Sequence, residues 1–215
     1  MPVAIPPVTP SRTLLRDLAR ERLRDAILHG ELQPGEHLHD TELCSWLGCS
    51  RTPIRDAIND LVRTGLVELE ANRFTRVAAP RPEHAVPGLQ ALGMLFGGPV
   101  RSAVPALGTG PRRELVRAIG RAIDALDGEE VLPATSAAVP VYGQILAACR
   151  NPVLTTALQT VTESFTFRLR LDTSAAPLPW ARMRHAALAF RAAIADRDTE
   201  GAVRAFAAIH LLPAA

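Results

Sequence analysis

Glycines at positions 30, 48 and 65 cut the first part of the chain into three helix-length pieces, and just after the third the hydrophobic period changes. Beginning at Ser11, the residues Leu14, Leu15, Leu18, Leu23, Ala26 and Ile27 recur at helical spacing, and Gly30 ends that helix. A short strand-like piece over Glu36–His39 leads to Asp40, placed to N-cap a helix over Thr41–Leu47 that Gly48 breaks. Ser50 is placed to cap a third helix, with Pro53 in its first turn and Ile54, Ala57, Ile58, Leu61 and Val62 as its buried stripe. After Gly65, apolar and polar residues alternate on both sides of Ala71-Asn72-Arg73, the pattern of a β-hairpin with Asn at its turn. The order is helix, helix, helix, hairpin.

Residues 1–10 read as a Pro-rich flexible arm and residues 11–78 as the first domain. Three prolines and a glycine mark residues 79–88 as a semi-rigid linker. Residues 89–215 carry no convincing strand, only Ala- and Leu-rich helical segments near 89–107, 111–127, 134–150, 152–171, 180–196 and 199–212. The second domain is therefore expected to be an all-α antiparallel bundle and the chain mainly α. Gly97-Gly98-Pro99 is expected to interrupt or kink the first bundle helix, Asn151-Pro152 to cap and start another, and Thr173–Pro179 to form a loop.

With 47% hydrophobic and 21% charged residues, the chain has the balance of a folded globular protein. Its net charge of +2 is too small to advertise nucleic-acid binding, so any such contact must come from a local cluster. Cys44, Cys49 and Cys149 lack metal-ligand spacing and read as buried reduced thiols. The opening residues have no signal-peptide pattern and no stretch is long enough to span a bilayer, so the expectation is a cytoplasmic protein.

The second helix of a helix-turn-helix meets base edges with its N-terminal residues, which must therefore carry polar donors. Ser50, Arg51, Thr52 and Arg55 gather at the start of the third helix. Arg51 and Arg55 share one helical face; either can pair with guanine O6 and N7 while the other grips phosphate. Ser50 and Thr52 sit at the positive end of the helix dipole, which suits phosphate oxygens. Arg73 at the hairpin tip is placed for a minor groove and Arg76 for the backbone. An Arg pair four residues apart is also the composition of an ordinary solvated face, and Asp56 and Asp60 stand close enough in sequence to neutralise it.

The stretch from Arg22 to Pro80 closely resembles the N-terminal domain of GntR-family bacterial transcription regulators. Carrying the resemblance are Gly30 with Pro34-Gly35, Glu42-Leu43 before Leu47-Gly48, Ser50-Arg51-Thr52-Pro53-Ile54-Arg55, and Gly65-Leu66-Val67. It implies base and phosphate contacts from Ser50, Arg51, Thr52, Pro53 and Arg55, a further contact near Thr41, and a wing. Where members often have Gly at the wing tip this chain has Asn72, which still tolerates positive φ.

The second domain more faintly resembles the FCD ligand-sensing domain of the FadR branch of that family. That resemblance implies a divalent metal held by an Asp, a His four residues later on the same helix, and two later His. Aligned on Asn151-Pro152, the carboxylate position falls on Ala138 or Val139 and the imidazole position on Tyr142 or Gly143, so no metal or other cofactor is expected. His185 and His210 lie near the later ligand positions; His185 reads as an ordinary exposed or core-satisfied histidine, and His210 as blander still. Tyr142, Gln144, Arg168, Arg170 and His185 are the polar candidates to line an effector pocket.

The chain has no Gly-rich phosphate loop, nucleophile elbow or HExxH pattern, which argues against an enzyme. The expected function is a transcription regulator, a repressor, binding a palindromic double-stranded operator as a homodimer. Two versions stay open: a bundle that senses a small-molecule effector, and one that only dimerises or binds a protein partner.

Overall fold

In the computed structural model the described residues are 12–71, 73–158, 169, 172–173 and 177–213. The arm 1–10, Asn72, Arg168 and Arg170 lie outside them, as does most of the region expected to be helical beyond residue 158. The chain forms two compact units that divide between Ala79 and Pro80.

The first unit contains α1 (Arg12–His29), α2 (Asp40–Leu47), α3 (Arg51–Arg63), β1 (Val67–Glu70) and β2 (Phe74–Val77). Helix α1 buries Ala19, Leu23, Ala26 and Ile27, spaced by four, three and one, which is one face of a 3.6-residue period. Leu18 belongs to the other face and is half exposed, a correction to the stripe expected for this helix. Gly30 and Gly48 take left-handed φ of 78° and 64°, where a side chain would be strained, and so let the chain turn sharply after α1 and α2.

Helix α3 packs Ile54, Ala57, Ile58 and Leu61 against α1, with Val62 at the margin. The hairpin is antiparallel with Val67 opposite Val77, and both valines close the core. The strand-like piece before α2 adds a short third edge: Leu38 N–H donates to Thr75 O, and Val77 N–H donates to Glu36 O, each at 2.8 Å. Asp40 is the first residue of α2 rather than its cap; His39 holds the cap position and no side chain bonds the free N–H groups.

The second unit holds a 3-10 turn at Pro82–His84, then α4 (Ala85–Ala106), α5 (Thr109–Leu126), α6 (Val131–Ala148), a helical stretch at 152–158, α7 (Trp180–Asp196) and α8 (Thr199–Ile209). Much of the expected linker is thus already folded, with α4 starting at Ala85. Helix α4 also runs unbroken through Gly97-Gly98-Pro99. An interior proline costs roughly 3 kcal/mol, but Leu92, Phe96, Val100 and Ala103 bury on one continuous stripe across that point, and burying each large apolar side chain is worth about 1.5–3 kcal/mol.

Asn151 caps the next helical stretch as expected, its Oδ1 accepting from Leu154 N–H at 3.0 Å with Pro152 following. Thr173, expected in a loop, is helical and donates to Leu169 O at 2.7 Å. Helices α5 with α6 and α7 with α8 pack as neighbours across short connections, and α4 packs on α6 and α8. Phe96, Leu115, Ile145, Phe190, Ile194 and Phe206 fill the centre. Of the cysteines only Cys149 is buried; Cys44 and Cys49 are half-buried, because the short α2 and its turn have one covered side. Among the described residues no helix is long and apolar enough to cross a membrane.

Candidate functional site

Burial of Pro53, Ile54, Ala57, Ile58 and Leu61 leaves the opposite face of α3 to solvent, and that face carries Arg51, Thr52, Arg55 and Asn59. Ser50 is exposed at the N-cap position with extended backbone and makes no capping bond with its side chain, so its hydroxyl and the first N–H groups of α3 point to the same open end. Thr41 is exposed at the start of α2. Pro53 is buried: following a 3.6-residue period from Arg51 it lands on the core side, so it sets the entry of α3 rather than offering a surface to a ligand.

Arg55 is held by Asp40, Nε donating to Oδ2 at 2.8 Å, while its side chain stays 69% exposed. Asp40, misread as a cap, therefore orients a cation. The bond uses Nε alone and leaves both Nη groups for a further acceptor. Arg51 has no carboxylate partner among the described residues. Asp60, close enough in sequence to neutralise Arg51 and Arg55, pairs with Arg63 at the far end of α3 at 2.6 Å and with Arg16 at 3.7 Å. Asn59 was missed by the sequence reading; its position eight residues after Arg51 and four after Arg55 was the available signal.

The wing is less open than expected. Arg76 lies over the Phe74 ring, 4.3 Å from its centre, and its Nη2 is 3.0 Å from Glu68 Oε2 on the paired strand. Cross-strand pairing and the aromatic face engage this guanidinium in bracing the hairpin, so the phosphate contact expected of Arg76 would compete with both. Arg73 remains exposed at the tip, paired with Glu70.

In the second unit, α4 to α8 line a partly open cavity of about 120 Å³ whose wall includes Leu92, Ile119, Tyr142, Met183, Phe206 and His210. His210, expected to be bland, is the central polar group: it is 1% exposed, its Nδ1 lies 2.7 Å from Phe206 O, and its Nε2 lies 2.7 Å from the Tyr142 hydroxyl. Because a carbonyl can only accept, Nδ1 carries the proton and Tyr142 O–H donates to Nε2. Burial pushes the imidazole down to about 4, partly opposed by the Phe206 bond, and burial raises the Tyr142 phenol, so both groups are neutral. No local motif marks His210; its depth depends on Gly93, Tyr142 and Phe206 meeting it in the fold.

Of the candidate pocket residues that are described, Tyr142 lines the cavity and Gln144 and His185 do not; Arg168 and Arg170 lie outside the described residues. His185 is exposed, because the buried positions of α7 are Met183, Ala186, Ala187 and Phe190 and residue 185 falls on the far side. Gln144 lies beside the wall, with a buried Oε1 that has no partner among the described residues. The residues do not fit a divalent metal: both nitrogens of His210 are engaged, Ala138 and Tyr142 stand where a carboxylate and an imidazole would be needed, and among the described residues no three His, Cys, Asp or Glu side chains converge.

Residues 15–77 match the profile of bacterial regulatory proteins of the gntR family, and residues 89–211 match the FCD domain. The HTH-type transcriptional repressor NagR of Bacillus subtilis is 39% identical over 70 residues, 32% of this chain and 29% of NagR. An HTH-type transcriptional regulator of Streptomyces ambofaciens is 41% identical over 61 residues, 28% of this chain and 25% of that protein. This chain thus spans less than a third of the length of these curated relatives. Among solved structures, Escherichia coli McbR/YncC superposes with a TM-score of 0.64 at 19% identity, covering 92% of this chain and 93% of the other. A GntR transcriptional regulator from a Rhodococcus species gives 0.64 at 22% identity, covering 88% and 90%. At these identities the two structures show the shared fold.

Proposed function

The chain belongs to the gntR family of bacterial regulatory proteins, in its FCD-domain branch, and from that premise we propose that it is a repressor that binds a palindromic operator as a homodimer under control of a small molecule. The observation that carries the reading is the outward face of α3, where Arg51, Thr52 and Arg55 stand exposed over a buried apolar stripe and Arg55 is pre-oriented by Asp40. A guanidinium whose Nη groups are open suits guanine O6 and N7, the commonest specific contact in a major groove. Ser50, Thr52 and Thr41 sit where hydroxyls and helix N-termini meet phosphate oxygens. Arg73 is the wing residue in reach of a minor groove.

A single α3 reads few base pairs, and a second copy related by a twofold axis multiplies the discrimination. The outer face of α4 offers a place for that copy: Met94 is 66% exposed, Leu95 lies next to it, and Gly98 has open space around it. Repression is supported by the name of NagR, a transcriptional repressor with which this chain shares 39% identity over 70 residues. The apolar cavity favours the effector-controlled version over a bundle that only dimerises, since core packing ordinarily leaves few voids larger than a water molecule.

Selection of bound duplexes from a random DNA pool, at a stated salt concentration, tests the reading. An enriched inverted repeat is the expected result. Salt-sensitive binding without enrichment would overturn it.

A further inference from the structure

The cavity of the second unit has the wrong chemistry for a metal-chelated or ionised ligand, and its size and wall define another class. Its volume of about 120 Å³ is close to the roughly 150 Å³ of an apolar protein cavity that stays dry and takes up benzene. Aliphatic and aromatic side chains from five helices form most of the wall. The hydroxyl and imidazole groups set into it are already spending their protons inside the protein. Tyr142 donates to His210 Nε2, His210 Nδ1 donates to Phe206 O, Thr173 Oγ1 donates to Leu169 O, and Thr135 Oγ1 donates to Val131 O. What these groups retain is acceptor capacity on the three hydroxyl oxygens.

An anion entering would meet hydroxyl acceptors and the Trp180 indole, and no cationic side chain lines the cavity among the described residues. Burial keeps His210 neutral near neutrality, so it does not supply the missing charge. A molecule of one ring with a single hydroxyl donor would fill the space and satisfy one acceptor at little desolvation cost.

We propose that this cavity binds an uncharged, single-ring apolar compound bearing one hydrogen-bond donor, of the chemistry of phenol, with the Tyr142 oxygen as the acceptor. The assignment rests on the effector-controlled reading above for its regulatory meaning, but binding itself can be measured separately.

Calorimetric titration of the full chain with phenol, toluene, benzoate and zinc ion tests it. Phenol should bind saturably at one site per chain, toluene more weakly, and benzoate and zinc more weakly still. Tyr142→Phe should weaken phenol by about five- to tenfold, the worth of one hydrogen bond, and leave toluene nearly unchanged. Ala138→Phe, which builds a ring into the space, should abolish phenol binding. If benzoate or zinc binds more tightly than phenol, or if phenol is indifferent to both substitutions, the assignment is wrong.

Operator affinity by fluorescence anisotropy, measured with and without phenol, serves as a fold check on each variant and separates the two readings. Phenol that enters the cavity without changing operator affinity would uphold the ligand class and overturn effector control. A chain that binds its operator but neither phenol nor toluene would overturn the ligand class while upholding the operator-binding reading.

Discussion

Replacing Gly93 by Ala should destabilise the second unit, although alanine is the better helix former. A Cβ built at Gly93 would lie 2.6 Å from His210 Cβ and 3.1 Å from both His210 Cγ and Leu212 Cδ1. Carbon atoms rest about 3.5–4.0 Å apart, so the tightest pair must separate by roughly 1 Å. His210 Cβ is fixed to the backbone, and no side-chain rotation relieves the clash; the end of α8 must move. That end is tied to α4 by Gln90 Nε2 donating to Leu211 O at 3.1 Å and to α6 by the Tyr142–His210 bond.

Overpacking of this kind costs about 1–3 kcal/mol and a strained buried hydrogen bond about 1 more, against about 1 kcal/mol returned by helix propensity. The net loss of about 1–3 kcal/mol should lower the melting temperature of the second unit by about 5 °C or more. Gly97→Ala and Gly98→Ala are the controls, because nothing lies within 4 Å of a Cβ at either position; each should be neutral or stabilising by up to about 1 kcal/mol. Scanning calorimetry of the full chain, fitted as two units rather than one two-state transition, reads the difference. Should Gly93→Ala melt at or above Gly97→Ala, the close approach of α8 to α4 is refuted.

Arg51→Ala should weaken operator binding by on the order of 1–3 kcal/mol and relax preference at one position per half-site; anisotropy across single-base operator variants checks this, and an equal loss on every sequence would make Arg51 a phosphate contact. Buried neutral His210 makes the second unit acid-labile. Its folded value of about 4 lies below the ordinary 6.5, so its stabilising contribution is intact above pH 6.5, falls as pH drops toward 4, and amounts to about 3 kcal/mol over that window; urea midpoints across the window should show the slope, and His210→Phe should flatten it. Asp198→Ala removes the side-chain cap of α8, in which Oδ1 accepts from Gly201 N–H at 2.9 Å, and should cost about 1 kcal/mol in a thermal melt, with Asp198→Asn retaining most of it.

Local signals carried the first unit. The glycines at 30 and 48 stand where left-handed turns are needed, the α3 stripe has a clean helical period, and Val67-Glu68-Leu69-Glu70 alternates along the first hairpin strand. The errors there concern partners that sequence spacing does not reveal. Asp40 stands fifteen residues from Arg55 and Glu68 eight from Arg76, and each pair meets only because α2 packs on α3 and β1 on β2. Pro99 shows the same limit in the bundle: its local preference to end a helix is real, yet the apolar stripe on either side of it decides the outcome.

The cavity was half legible, and the division follows from what a helical register can and cannot convey. Aligned on Asn151-Pro152, the imidazole position that the resemblance implies falls on Tyr142 or Gly143, and in this fold Tyr142 points inward, onto His210. Register fixes direction, because side chains four residues apart share a face whatever they are. It does not fix chemistry. With Ala138 and Tyr142 on it, the same inward face offers no charge to hold a cation, and His210 has both nitrogens engaged, Nδ1 by Phe206 O and Nε2 by Tyr142. The substitution is coherent rather than degenerate: the polar groups are satisfied in pairs, and what surrounds them is an apolar space that a neutral molecule can fill.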